Sequence, residues 1–142
     1  MADSKFEELS EMKKKAIIFV ANDFVKNAKG YKLDYSEKSL VEAERYLEDH
    51  KLTHDDKELL KLIYGAGSYV GEVIRKEFRG VWIKNDQPIF SGHPFAALLI
   101  KKLGNATDIR LYPFNKVFKR IESGENDGVD ILAPSLRRIG KL

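Results

Sequence analysis

Two stretches near the start of the chain repeat apolar residues every three or four positions, the spacing that places one side of an α-helix against a core. The first stretch runs from about residue 4 to residue 28, and Gly30 follows where a helix would end. Its stripe consists of Phe6, Leu9, Met12, Ala16, Val20 and Phe24. The second stripe consists of Leu40, Ala43 and Leu47. Asp34 or Ser36 would cap the second helix, and Asp34 with Glu37 has the spacing of a capping box.

The third predicted helix carries the broadest apolar face of the chain and ends near Phe78, before Gly80. Thr53 is its expected N-cap, with Asp55 and Asp56 in the first turn, where acidic groups suit the helix dipole. The apolar face consists of Leu59, Leu62, Ile63, Ala66, Tyr69, Val70, Val73 and Ile74.

The hydrophobic period then changes and indicates strands. Residues 81–84 and 87–90 flank Asn85 and Asp86, which tolerate the positive φ of a tight turn, so this stretch predicts a β-hairpin. Pro88 places the second strand at a sheet edge, because proline cannot donate a ladder hydrogen bond.

The apolar run at residues 95–100 fits two structures. Pro94 at a first helical position predicts a short helix, and a buried strand is the alternative. Residues 108–112 alternate enough to predict a strand, and Pro113 opens a last amphipathic helix. The buried side of that helix is expected to carry Phe114, Val117, Phe118 and Ile121.

These elements predict an α+β fold in which N-terminal helices pack with a small antiparallel β-hairpin or sheet and a C-terminal amphipathic helix. The chain has 142 residues, enough for one domain with its own core. We expect a single α+β domain over residues 1–124. Residues 125–142 are expected to form a polar, partly flexible tail.

The composition indicates the cellular location of the protein more clearly than its function. The chain has 43% hydrophobic and 33% charged residues, as water-soluble proteins do, and a net charge of +3 that permits a weak anionic partner. It has no cysteine, which excludes disulfides and thiolate zinc sites and fits a reducing cytoplasm. Residues 13–21 resemble a signal peptide only superficially, and no apolar run approaches the ~20 residues of a membrane span. A cytoplasmic location without membrane contact is therefore expected.

Several groups of residues invite a chemical role. Gly65, Gly67 and Gly71 suggest phosphate binding, but they follow a helical rather than a strand pattern, so close packing is the favoured interpretation. His50 and His54 have the spacing of two metal ligands, yet His54 falls at a helix start and no third ligand is evident. We therefore predict no metal, no cofactor and no catalytic residue.

His93 lies in a loop, where an acid–base role would need a partner group and a pocket. Glu72 is placed away from the apolar stripe of the third helix, so an ion pair with Arg75 or Lys76 is its expected role. A pocket that gathered Glu72, Trp82 and His93 would mark a candidate interaction site.

Lys116, Lys119 and Arg120 are expected to share the outer face of the last helix. Such a face could contact phosphates while Tyr112 stacks on a base, but an ordinary basic helix surface is the favoured interpretation.

Residues 64–74 and 80–82 contain the pattern Gly67-x-Tyr69-x-Gly71-Glu72, followed by Trp82 after a glycine. This pattern resembles a helix-to-strand signature in a family of small uncharacterised bacterial α+β proteins, a domain of unknown function. Residues 113–124 are similar to the later part of the same proteins, and residues 33–40 to their entry into the second helix. The resemblance implies no catalytic residue. Some similar proteins are encoded beside contact-dependent toxins, which implies an immunity-like role.

Three functional hypotheses follow. The first is a non-enzymatic cytoplasmic binding protein that engages another protein, with Glu72, Trp82, His93, Lys116, Lys119 and Arg120 as candidate interaction residues. The alternatives are nucleic-acid binding through the basic helix and tail, and a small enzyme with a site near His93. Whether the chain is an enzyme, and its oligomeric state, stay open at this level.

Overall fold

The computed structural model describes residues 6–51, 55–85, 96–103, 107–124 and 128–141. Within these residues five α-helices and a three-stranded antiparallel sheet confirm the predicted α+β class. The helices are α1 (Glu11–Asn27), α2 (Ser39–His50), α3 (Asp56–Phe78), α4 (Pro113–Ser123) and α5 (Leu132–Gly140). The strands are β1 (Val81–Lys84), β2 (Ala96–Ile100) and β3 (Ile109–Leu111). Among the described residues no helix is both long enough and apolar enough to cross a membrane.

Helix α3 is the centre of the molecule, and every residue from Gly65 to Ile74 is buried. The prediction of one continuous helix that ends at Phe78 is confirmed. Its N-cap is Asp55, whose carboxylate accepts a hydrogen bond from the backbone N–H of Glu58 at 2.7 Å. Thr53, the expected cap, lies outside the described residues.

The glycines of α3 make room for aromatic rings. A Cβ atom at Gly67 would lie 2.4 Å from the ring of Phe114, and one at Gly71 would lie 2.2 Å from the ring of Trp82. Both distances are far below van der Waals contact, so only glycine lets α4 and β1 approach α3 this closely. Close packing is therefore confirmed, with side chains rather than a second backbone as the neighbours.

The sheet has the order β1-β2-β3, and Trp82 of β1 lies opposite Leu98 of β2. The expected short helix over residues 94–100 is wrong from Ala96 onward, where the alternative strand forms. All of β2 is buried and both its edges are paired, so sheet pairing overrides the helix propensity of alanine and leucine. Residues 87–90, the expected second strand of the hairpin, lie outside the described residues.

The start of α1 differs from the prediction because the chain before it joins the sheet. Lys84 donates its backbone N–H to the carbonyl of Glu7 at 2.8 Å, and Leu9 donates to the carbonyl of Trp82 at 3.1 Å. The helix therefore begins at Glu11, with Ser10 as its N-cap, rather than near residue 4.

The entry to α2 lacks the expected capping box. The hydroxyl of Ser36 accepts from the backbone N–H of Ser39 at 3.2 Å. Glu37 instead accepts from the Arg137 guanidinium of α5 at 2.9 Å.

Residues 129–140, expected within a polar and partly flexible tail, form a 3-10 turn (Val129–Ile131) and α5. Val129, Ala133 and Leu136 are buried in the main core. These three residues recur at helical spacing, so a short apolar stripe anchors the segment despite its polar composition.

Candidate functional site

Glu72 and Trp82, two of the predicted interaction residues, meet inside the core. Glu72 is only 1% exposed, which corrects its expected outward placement. It accepts hydrogen bonds from the indole N–H of Trp82 at 2.9 Å and from Nε of Arg75 at 2.6 Å, so the ion pair with Arg75 is confirmed. Burial disfavours the ionised carboxyl, but the bonds from Arg75 and Trp82 outweigh it and hold the pKa of Glu72 below its ordinary value. This cluster ties α3 to β1.

Arg120 is buried as well, which corrects its placement on an outer basic face. Its Nε donates to Glu44 at 2.5 Å and its Nη2 donates to Glu48 at 2.7 Å. Burial alone would lower the pKa of Arg120, but these bonds outweigh it and raise the pKa. Arg120 follows Val117 by three positions, so the helical period places it on the core side of α4. The predicted phosphate-binding face of α4 therefore does not include Arg120.

The other predicted interaction residues that the structure describes are Lys116 and Lys119. Lys119 is exposed and Lys116 is half-buried. His93 and His54 lie outside the described residues. The His50 ring stacks on Tyr46 at a centroid distance of 3.9 Å. Within the described part of the chain no three His, Cys, Asp or Glu residues are grouped to hold a metal ion.

Helix α1 presents a surface that was not predicted. Its inner side buries Ala21 and Phe24, but Met12 is 81% exposed and Phe19 is 72% exposed. Met12, Ala16 and Phe19 follow the i, i+4, i+7 spacing of one helix face and point away from the core. We call these three residues the outer face of α1. The expectation that Met12 and Ala16 belong to the buried stripe is wrong, because both are exposed.

A furrow borders this face, between α1 and α3. It consists of two hollows of about 640 and 690 Å³, and Val20 and Tyr64 line both of them. Ala16 lines the first hollow and Asp23 lines the second, so one side of the furrow adjoins the outer face. We call it the α1–α3 furrow.

The wall of the first hollow is mainly apolar. It includes Leu9, Ile17, Val20, Tyr64, Ala96 and Phe114. Its polar groups include Ser68 and Asn85, and the amide of Asn85 donates to the Oδ1 atom of Asn115 at 3.3 Å. Lys13, Lys84, Glu7 and Glu8 add charges of both signs. The apolar outer face of α1 lies beside this apolar furrow with its mixed charges. Such a surface can pack against a helix or against another folded protein.

One feature of the sequence indicates this exposed apolar surface. Residues 16–21 are apolar without a break, which is more apolar surface than one side of a helix can bury. Comparison of this chain with protein-family models, with curated proteins and with solved structures finds no match.

Proposed function

We propose that this chain is a non-enzymatic protein-binding protein of the cytoplasm. Its partner would cover the outer face of α1 and enter the α1–α3 furrow. The observation that carries the proposal is the exposure of Met12 and Phe19, 81% and 72%, on one helix face beside an apolar furrow. Burying a side chain of this size stabilises a complex by about 1.5–3 kcal/mol, so covering both provides a strong driving force.

The surroundings of the outer face support a protein partner. Apolar residues lie at its centre, while Lys15 and Asp23 beside them are exposed. An apolar centre with a charged rim is the usual anatomy of a protein–protein interface, in which the rim adds specificity more than affinity.

Location and biological role are narrower parts of the same proposal. The cysteine-free composition supports a reducing cytoplasm. An immunity-like role rests on the resemblance of residues 64–82 and 113–124 to the bacterial family alone.

The proposal is tested by affinity isolation of the tagged chain at native expression. The variants are Phe19→Glu on the outer face and Val41→Glu on α2, because Val41 is also an exposed apolar residue, at 59%. The wild-type chain and Val41→Glu should retain a stoichiometric partner, an untagged copy of the chain included, and Phe19→Glu should lose it. Equal retention by all three chains, or retention of nothing by the wild-type chain, would refute the proposal.

A further inference from the structure

We infer that the α1–α3 furrow binds an amphipathic helix of the partner protein, with the N-terminal end of that helix at the second hollow and its C-terminal end at the first. This inference rests on the proposed function, since the furrow belongs to the surface that the partner covers. It goes further by stating which kind of element is bound and in which direction it runs.

The furrow has the length of a short helix. On α1 it is lined from Lys13 in the first hollow to Asn27 in the second, and on α3 from Ser68 to Glu58. At about 1.5 Å per residue these two stretches measure about 21 Å and about 15 Å. A helix of about three or four turns, at about 5.4 Å per turn, therefore fits between the two ends.

The walls of the furrow favour a helix over an added strand. Helices α1 and α3 bond their backbone N–H and C=O groups internally, so a strand that lay along them would find no groups with which to form a ladder. A helix satisfies its own backbone and contributes side chains alone. It is therefore the element that packs into an apolar groove between two other helices.

The two hollows define which side chains the bound helix presents. Val20 and Tyr64 line both hollows, so the hollows follow one another along the furrow. Large apolar side chains at i, i+3 or i+4, and i+7 lie on one face of a helix and would enter first one hollow and then the other. The opposite face of the bound helix would stay polar, which makes the helix amphipathic.

The second hollow carries an excess of negative charge. Among the described residues that line it, Asp23 and Glu58 supply two carboxylates, one from each wall, and Lys61 supplies one ammonium group. All three residues are exposed, so their charges face an incoming partner. The N-terminal end of a helix carries a partial positive charge, and the second hollow therefore attracts that end.

The first hollow carries the opposite excess. One of its carboxylates, that of Glu8, is paired with Lys14. Its other charged side chains in the described part of the chain are Lys13, Lys84 and Glu7, two ammonium groups and one carboxylate. This end therefore attracts the partial negative charge at the C-terminal end of a helix, and the two hollows select the same direction.

The contact is small, which sets the expected strength. One helix of three or four turns buries less than the roughly 800 Å² per partner of a standard interface. An isolated helical peptide should therefore bind weakly, with a dissociation constant roughly in the micromolar to millimolar range.

Titration with a synthetic helix, followed by nuclear magnetic resonance of the full chain, tests the inference. The probe is a peptide of about 14 residues with leucines on one face and glutamines on the other, held helical by a side-chain cross-link. It should shift the amide signals of Val20 and Tyr64. A control peptide with the same leucines spread around the helix should bind roughly tenfold more weakly. Absence of binding, or equal binding of the two peptides, overturns the inference.

Matched variants of the chain locate the binding. Ala16→Glu places a charge in the exposed wall of the first hollow and should weaken binding of the leucine-faced peptide roughly tenfold. Val41→Glu on α2 should bind it as the wild-type chain does, and a circular dichroism melt checks that both variants are folded. Equal binding by the wild-type chain and Ala16→Glu places the peptide elsewhere and overturns the inference.

A nitroxide spin label at the C-terminal end of the peptide tests the direction. The label should broaden the amide signals of Lys13 and Lys84 more strongly than those of Glu58 and Lys61, because the C-terminal end lies at the first hollow. The same label at the N-terminal end should give the opposite pattern. Equal broadening at both ends, or the reverse of these patterns, overturns the stated direction.

The inference and the proposed function fail in different ways. If affinity isolation recovers a partner that Phe19→Glu loses but the leucine-faced peptide does not bind, the proposed function stands and the bound helix is wrong. If the wild-type chain retains nothing, the proposed function is wrong whether or not the peptide binds. If the wild-type chain self-associates in sedimentation velocity and Ala16→Glu does not, a second copy occupies the furrow and the inferred partner is wrong.

Discussion

Helices α1 and α3 depart from the simple amphipathic pattern in opposite directions. Helix α3 buries a carboxylate, Glu72, at 1% exposure, whereas α1 exposes a phenylalanine, Phe19, at 72%. The buried carboxylate of Glu72 accepts three hydrogen bonds inside the molecule, two from Arg75 and one from Trp82. The Phe19 ring, by contrast, lies mostly in solvent. The polar partners of Glu72 stabilise the fold within α3, whereas the proposed function assigns the outer face of α1 to an external contact.

The largest effect is expected from Gly71→Ala in α3. Alanine normally favours a helix over glycine, but here its Cβ atom would lie 2.2 Å from the Trp82 ring. Overpacking of this kind should lower the free energy of unfolding by about 3 kcal/mol in urea denaturation. Gly80→Ala is the matched control, because its Cβ atom would have its nearest neighbour at 3.4 Å. An equal loss for both variants would show that position 71 requires glycine for its backbone flexibility and not for the space that the Trp82 ring occupies.

The next effect is expected from Glu72→Gln. Glutamine keeps the shape of the side chain, but its NH2 group replaces one of the two oxygens that accept from Arg75 and Trp82, so at least one charge-assisted hydrogen bond is lost. The expected cost is about 2 kcal/mol in the same denaturation experiment. A neutral or stabilising result would mean that the free energy of desolvating the carboxylate equals or exceeds the stabilisation from its hydrogen bonds. Glu72 would then not stabilise α3.

A smaller effect should appear as the pH falls. The folded-state pKa of Glu72 lies below its ordinary value of 4.5, so its contribution to stability is present above that pH and is lost as the pH falls through the folded-state pKa. The stability difference between the wild-type chain and Glu72→Gln should therefore narrow in acid. Unfolding curves from neutral pH to below pH 4.5 measure it, and a constant difference would contradict the assignment.

The smallest effect on stability is expected from Phe19→Glu in dilute protein, within about 0.5 kcal/mol, because exposed positions contribute little to folding. Thermal denaturation at low concentration measures it. A loss of several kcal/mol would place Phe19 in the core and remove the contrast between the two helices.

Local sequence patterns predicted the helices and strands whose structure depends on residues close to them in the chain. The period of α3 and the break at Gly80 were enough to define that helix, and the alternation at residues 108–112 was enough to predict β3. The strand β2 was not predictable from its own composition, because pairing on both edges decides its structure.

The candidate surface was harder to predict for a different reason. Residues 16–21 allow more than one side of α1 to face the core, and only packing against α3 decides that Ala21 is buried and Phe19 is exposed. Arg120 shows the opposite error, since its helical position relative to Val117 was informative but its charge suggested a surface. Its acidic partners, Glu44 and Glu48, are more than seventy positions away in sequence.

The central claim is that the outer face of α1 is open in the isolated chain and covered in the working protein. Because the chain has no cysteine, Met12→Cys would carry a unique thiol whose alkylation rate reports exposure at that position. Alkylation should be fast in dilute purified protein and strongly slowed inside cells, while Val41→Cys should react at similar rates in both settings. A Met12→Cys thiol that reacts equally fast in cells, or that is already protected in the dilute chain, would contradict the account.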